Sequence, residues 1–343
     1  MNIFALETSC DETSASVILS SLKIKSLVIS SQVKIHAEYF GVVPELASRA
    51  HIENINPVIA EALEKAGITS FSDFSKKIDA IAFTAGPGLA GALLVGAVAA
   101  KTMASLYKKP LIPINHLEGH LYSVFIEHKS IKPPFLSLII SGGHTELTAV
   151  KDFGNYKILG ATRDDAAGEA FDKAAKMLGL EYPGGPVIDK RAENGDPNAI
   201  KFTRPYLKGS WDFSFSGIKT ALLNYLKTNP VSSGQHLNDI CASFRQAVAE
   251  TLCYKTFKAA DSFNLKQIAL GGGVTANSLI RSMFKQKGTE NKIKIFMPSL
   301  IYCTDNAAMI ACAACLKQKK CGLSYNNENQ LMPNPSLPLE NWR

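Results

Sequence analysis

His116 and His120 stand four residues apart in His116-Leu117-Glu118-Gly119-His120. On a helix that spacing puts both imidazoles on one face, with Cβ atoms about 5–6 Å apart, which suits one metal ion. Packing of two ordinary histidines is the alternative reading. The pair follows the apolar stretch Leu111 to Ile114. It is therefore expected to open a helix at the C-terminal edge of a sheet, where ligands of open α/β sheets gather. Glu118 lies two residues from each histidine. Two residues turn roughly 200° about a helix axis, so Glu118 is expected to face away from them. Metallopeptidase helices of the His-Glu-x-x-His type, or the inverted type, set the glutamate beside one histidine. This sequence does neither. Two imidazoles need a further ligand, and Asp305 in Tyr302-Cys303-Thr304-Asp305-Asn306 is a candidate. Thr304 or Asp305 equally suits the cap of the Ala-rich helix Asn306 to Leu316. An oxygen ligand beside two imidazoles fits Fe(II) or Zn(II), with positions left open for a substrate.

A second group of residues suits a nucleotide. Ser141-Gly142-Gly143-His144 and Gly271-Gly272-Gly273 are glycine turns at strand ends, where backbone N–H groups can approach phosphate without a Cβ in the way. Asp172 and Asp189 flank a third such turn, Tyr182 to Pro186, and carboxylates there suit ribose hydroxyls. Asp164 and Asp165 read as caps or solvated charges. Cys312-Ala313-Ala314-Cys315 lies within the Ala-rich helix and reads as small buried residues rather than a metal knuckle.

The elements that must carry these groups alternate. Ile3 to Leu6, Ala15 to Leu19 and Lys25 to Ser31 read as strands, and Pro44 opens a helix stopped near Gly67. Ile78 to Phe83 is a buried strand and Gly88 to Leu106 the helix after it. Phe135 to Ile140, Glu146 to Lys151 and Tyr156 to Gly160 are strands again. Helices follow near Gly168 to Leu178, Phe215 to Lys227 and Leu237 to Asp261; then come a strand at Gln267 to Leu270 and a helix at Val274 to Lys285. Both halves open with strand, polar turn, strand, strand, then helices. The expected fold is α/β: an actin-like, two-lobed duplication of a βββαβα unit with a central cleft, as in the actin, Hsp70 and sugar-kinase superfamily. Residues 1–110 form the first expected lobe, completed by about 305–343. Residues 111–304 form the second, with helical insertions carrying the metal and nucleotide groups.

The chain has 343 residues, 37 basic against 30 acidic, 46% hydrophobic and 20% charged, which excludes a disordered or fibrous protein. Nearly all of the +7 charge, +6 of it, lies in residues 231–343. Lys285 to Lys294 and Lys317 to Lys320 are a candidate surface for a polyanion. The longest apolar run, Gly88 to Ala100, is 13 residues, short of the ~20 a bilayer needs, and no membrane is expected. Acidic residues interrupt the N-terminus before a signal h-region can form. Seven dispersed cysteines imply no disulfide framework, so the cytoplasm is expected.

Taken in order, these stretches resemble the universal Kae/Qri/TsaD family. They are Glu7 to Thr13, Val43 to His51, Gly86 to Leu89, His116 to His120, Ser141 to Thr145, Asp164 to Lys173, Tyr182 to Pro186, Asp212 to Gly217, Gly272 to Asn277 and Thr304 to Ala308. The resemblance implies a tRNA threonylcarbamoyl transferase. Such an enzyme moves the group from threonylcarbamoyl-AMP to the adenosine beside the anticodon of tRNAs reading ANN codons. It implies a metal held by His116, His120 and Asp305, with Fe(II) usual and Zn(II) next. It implies adenylate binding by Ile139, Ile140, Ser141, Gly142, Gly143, Asp172, Gly185, Asp189 and Asn277. Implied partners are tRNA, the TsaB and TsaE proteins, and a TsaC-type enzyme that supplies the adenylate. Asp11 and Glu12, in a turn expected to face the cleft, are candidates for the amine proton, with ordinary carboxylate pKa values. His144 is expected near the metal without ligating it. Ala5, Phe40 and Gly271 depart from the family pattern, and none is a ligand. The rival readings are a metal-dependent peptidase, the family's older label, an actin-fold ATPase or kinase, and a non-catalytic scaffold.

Overall fold

The computed structural model describes residues 1–322 and 332–342. Strands β1 (Ile3–Glu7), β2 (Glu12–Ile18) and β3 (Ile24–Ser31) lead through α1 (Val33–Ala37), α2 (Pro44–Lys65) and α3 (Phe71–Lys77) to β4 (Ala80–Gly86), α4 (Ala90–Tyr107) and β5 (Leu111–Asn115). Then come α5 (His116–Tyr122), β6 (Phe135–Ile140), β7 (Thr145–Asp152) and β8 (Asn155–Ala161). Helices α6 (Ala167–Met177), α7 (Gly184–Ala192), α8 (Ser216–Thr228) and α9 (Gly234–Ser262) precede β9 (Gln267–Gly271), α10 (Ser278–Glu290), β10 (Lys294–Phe296) and α11 (Ala307–Cys321).

The duplication is explicit in the sheets. One has the order β3-β2-β1-β4-β5 and the other β8-β7-β6-β9-β10. In each, the first three strands are antiparallel, and the central strand continues into two parallel ones. β5 pairs with β4, so the first sheet extends past residue 110 to Asn115.

Period-2 alternation on β1 explains its unbroken apolar run. Phe4 and Leu6 enter the outer core with α2 and α4, whereas Ile3 and Ala5 enter a central core with α5 and α11. β6 divides likewise, with Ile139 in the central core and Leu138 and Ile140 in an outer core with α6 to α10. Thus α5 and α11 lie sandwiched between the two sheets, and every residue of α5 is buried. Helix α4 is long and apolar enough to cross a membrane by length and composition alone. Its Ala92, Leu93, Ala97, Ala100 and Ala104 face is instead buried in the first lobe's outer core or beside it.

The tail ties the two halves together. Asn334 donates its N–H to Ala85 O, Asn115 Nδ2 donates to Pro338 O, and Trp342 donates its N–H to Gly154 O. Two expectations shift. The helix expected from Val274 begins at Ser278, because Gly273–Ala276 forms a 3-10 turn and Asn277 accepts from Ile280 N–H as the N-cap. The Ala-rich helix is capped by Asn306, which accepts from Met309 N–H, and not by Thr304 or Asp305. Its first N–H, at Ala307, goes to Ser14 Oγ of the first sheet.

Candidate metal and adenylate site

α5 starts directly at the end of β5, where Asn115 Oδ1 accepts from Leu117 N–H. Its histidines meet Asp305 because α5 and α11 pack closely. A Cβ on Gly119 would lie 2.9 Å from Ile310 Cδ1 and 3.0 Å from Met309 Cγ. Since Asn306 takes the cap, the Asp305 side chain is free to face the imidazoles. Its Oδ1 lies 3.0 Å from His120 Nε2 and 3.5 Å from His116 Nε2. One ligand atom from each of the three residues lies within 4.8 Å of the others, so the group can hold a metal ion. The fit has independent support. His120 is fully buried; its Nδ1 has no hydrogen-bond partner, and its Nε2, 3.0 Å from Asp305 Oδ1, is not aligned for a hydrogen bond to it. A buried polar atom left this way is costly unless something binds it.

The charges are tightly coupled. Burial alone would lower His116 and raise Asp305. Asp305 and Glu7 nevertheless push the His116 imidazole up to about 9, and the two histidines hold Asp305 well below the usual carboxylate range. His144 sits close enough to feel both imidazoles. Burial, then their charges, press it down to about 4. It is not one of the three grouped residues.

Glu118 turns the other way. It accepts from Tyr156 Oη at 3.0 Å and from Trp342 Nε1. Its carboxylate therefore anchors α5 to the tail and is not placed as a base at the metal. That removes the geometric support for a peptidase of the His-Glu-x-x-His kind.

The first lobe's turn, Thr8 to Asp11, faces the second lobe. Asp11 and Glu12 are adjacent carboxylates. Burial first, then the charges of Asp11 and Asp305, raises Glu12 well above its ordinary value, which differs from the ordinary pKa expected from sequence. His51 fixes this turn by bonding Thr13 Oγ1 at 2.8 Å and Cys10 O at 2.9 Å. Sequence reasoning quoted His51 but gave it no role. Asp11 also acts on Asp172 and Tyr182 across the cleft.

The glycines separate into two kinds. Gly168 and Gly272 are required by packing: a Cβ would stand 2.6 Å from Ser141 O and 2.4 Å from Ile140 O, respectively. Gly142, Gly143 and Gly185 have nothing within 4 Å of a Cβ, and none has a positive φ. Neither clash nor backbone strain demands glycine there, which leaves open backbone toward the cleft. Ser141 closes its own turn, with His144 N–H donating to Ser141 Oγ at 3.0 Å.

The other expected adenylate residues are partly engaged in structure. Asp172 Oδ1 accepts from Gly184 N–H at 2.7 Å and so caps α7, a helix the sequence did not suggest. Burial, then Asp11 and Glu169, pushes Asp172 up to about 6. Asp189 accepts from Arg245 Nη1 at 2.8 Å and from Ser278 N–H at 3.0 Å, beside the cap Asn277. Ile139 and Ile140 are wholly buried in the two cores, so their side chains do not face the cleft.

Two lobes of one plan with a His-His-Asp group between them that could hold a metal ion define an actin-like α/β protein. Known structures share that fold at low identity. T. kodakarensis HypF aligns over 96% of this chain and 49% of its own, at TM-score 0.63 and 17% identity. Component A of the Acidaminococcus fermentans (R)-2-hydroxyglutaryl-CoA dehydratase aligns over 93% of this chain and 98% of its own, at TM-score 0.54 and 14% identity. The TsaD family, described as tRNA N6-adenosine threonylcarbamoyltransferase, matches residues 23–312. Relatives of that name are 76% identical over all of both chains in Endomicrobium trichonymphae and 51% identical over 90% of both in Clostridioides difficile (strain 630). The chain belongs to the TsaD family, and its activity is transfer of a threonylcarbamoyl group to N6 of adenosine in tRNA.

Proposed function

We propose that the donor is threonylcarbamoyl-AMP and the acceptor the adenosine beside the anticodon of tRNAs reading ANN codons. The N6–C bond forms, the bond from that carbon to the phosphate oxygen breaks, the amine loses a proton and AMP leaves. His116, His120 and Asp305 hold one divalent cation, Fe(II) before Zn(II). Bound there, the cation supplies Lewis-acid polarisation of the carbamoyl oxygen.

The protein's own groups do the rest. The open backbone at Gly142, Gly143 and Gly185 receives the adenylate, with Ser141 at the same turn. Asp172 and Asp189 order the ribose side, and Asn277 orders the start of α10. Ile139 and Ile140 contribute only main chain. Asp11 and Glu12 take the amine proton, and burial with the charges of Asp11 and Asp305 raises the proton affinity of Glu12.

The observation that carries this reading is the convergence of His116, His120 and Asp305 ligand atoms within 4.8 Å, together with Gly142, Gly143 and Gly185, where neither packing nor backbone strain calls for glycine. The lobes divide near residue 115, with α11 and the tail completing the first. TsaB and TsaE are proposed protein partners, with a TsaC-type enzyme as adenylate supplier and the cytoplasm as location. The exposed Ile52 on α2 and Leu94 and Val98 on α4 give a protein partner apolar purchase. The test is calorimetric titration with AMP plus sequencing of the modified tRNA. Binding lost in G185V and modification confined to that adenosine support the reading. No AMP binding, or modification elsewhere, defeats it.

A further inference from the structure

Glu7 closes β1 and is wholly buried, yet the reaction above gives it no part. Its Oε1 accepts from Ser9 N–H at 2.5 Å and its Oε2 from the Thr84 hydroxyl at 2.6 Å. Oε2 also lies 3.2 Å from His116 Nδ1. Among the described residues no lysine or arginine pairs with it, and His116 is its one cationic partner. A buried carboxylate survives only if hydrogen-bond donors or a cation compensate it.

An ionised carboxylate only accepts, so the nitrogen facing it carries the proton. His116 is then protonated at Nδ1. Ser9 Oγ, 3.0 Å from the same nitrogen, can accept a share of that bond. The neutral ring in this tautomer presents a lone pair at Nε2, toward Asp305 Oδ1 at 3.5 Å, which is another acceptor. Either a second ring proton or a cation must therefore lie between Nε2 and Asp305, and a divalent cation bound at Nε2 takes that proton's place.

We propose that Glu7 is the positioning residue of the metal centre. It fixes His116 as the Nδ1–H tautomer and turns Nε2 toward Asp305 and His120, so that the site takes a divalent cation whose charge balances the two carboxylates. The inference rests on the metal reading above. It also ties metal affinity to the approach of the first turn of α5 to the end of β1, since Glu7 closes β1 and His116 opens α5. The partner that orients a ligating imidazole typically carries about 10–100-fold in metal affinity.

The test is a Co(II) titration of the full, metal-stripped chain, read by visible absorption, with thermal melting of the metal-free form. E7Q preserves the shape but replaces an acceptor that serves three donors. It is expected to melt near wild type and bind Co(II) about 10–100-fold more weakly, with a shifted ligand-field spectrum. T84V keeps the charge and removes one anchor, so a smaller loss in the same direction is expected. Should E7Q fail to fold, T84V carries the test. Wild-type affinity and spectrum in these variants overturn the proposal. If the wild type takes up no Co(II), the metal reading itself fails. If it does and H116A does not, while E7Q matches wild type, only the role of Glu7 falls.

Discussion

Each lobe presents a hairpin turn to the cleft at the same place in its sheet, and the two turns are built oppositely. The β1–β2 turn is acidic, largely buried and tied along most of its length. Glu7, Thr8 and Ser9 are spent on hydrogen bonds, and His51 clamps Cys10 and Thr13. The β6–β7 turn is glycine-rich and closed by one serine, with open space over both glycines. One scaffold, duplicated, thus yields a rigid electrostatic wall on one side and a bare backbone cradle on the other. The tied turn touches His116 through Glu7 and Ser9 and the other leaves its backbone open, a difference that the shared topology alone does not dictate.

The largest expected effect falls on the centre between the turns. D305N removes the only anionic group of the three and should lower metal affinity by at least about 100-fold, more than a supporting partner would. Metal analysis of the purified variant checks this, and transfer should fall with it.

Next, two neighbouring glycines should fail differently. G168A drives a Cβ into the main chain of Ser141 and Gly142, and should cost ~1–3 kcal/mol of stability, seen as a lowered melting temperature. G142A meets nothing in the fold, so stability should hold within about 0.5 kcal/mol. AMP affinity should drop about tenfold, a loss of roughly 1.4 kcal/mol. Equal melting and equal affinity in both variants would break the contrast between packed and open glycines.

Asp172 sharpens the comparison through pH. Its folded carboxyl titrates at about 6, above the ordinary 3.8. The protonated form therefore adds stability that is complete below pH 3.8 and gone once the pH has risen through about 6. D172N should raise the melting temperature at pH 8 and not at pH 3.5, by at most roughly 3 kcal/mol in stability. AMP binding to the wild type should weaken as the pH falls through about 6, and the asparagine should flatten that profile.

How much of this was legible in the chain follows from sequence separation. Apolar runs, Pro44 and the glycine turns announced the strands and main helices, and i,i+4 spacing announced one face for His116 and His120. The cap of α11 was ambiguous because Thr304, Asp305 and Asn306 are all good caps in a row. Asn306 takes the cap while Ala307 N–H goes to Ser14 Oγ, 293 residues away, a contact that local sequence cannot show. Glu7 gave no local sign, since its partner lies 109 residues along the chain. α7 stayed hidden because its N-terminus is capped from α6 by Asp172 rather than by its own residue.

The smallest effect concerns the lysines outside both turns. Lys287 pairs with Glu290, Lys320 with Asp152, and Lys317 donates to Pro113 O, so part of the expected polyanion surface is already engaged. Reversing Lys285, Lys292 and Lys294 should reduce tRNA affinity and its salt slope by about one unit per lost phosphate contact, while AMP binding is unchanged.

The most direct measurement is mass spectrometry of unmodified tRNA after incubation with the chain, its protein partners, threonine, bicarbonate and ATP. The wild type should add one threonylcarbamoyl group per tRNA, and H116A should add none. An unmodified tRNA in the complete wild-type reaction, or full modification by H116A, would contradict the account.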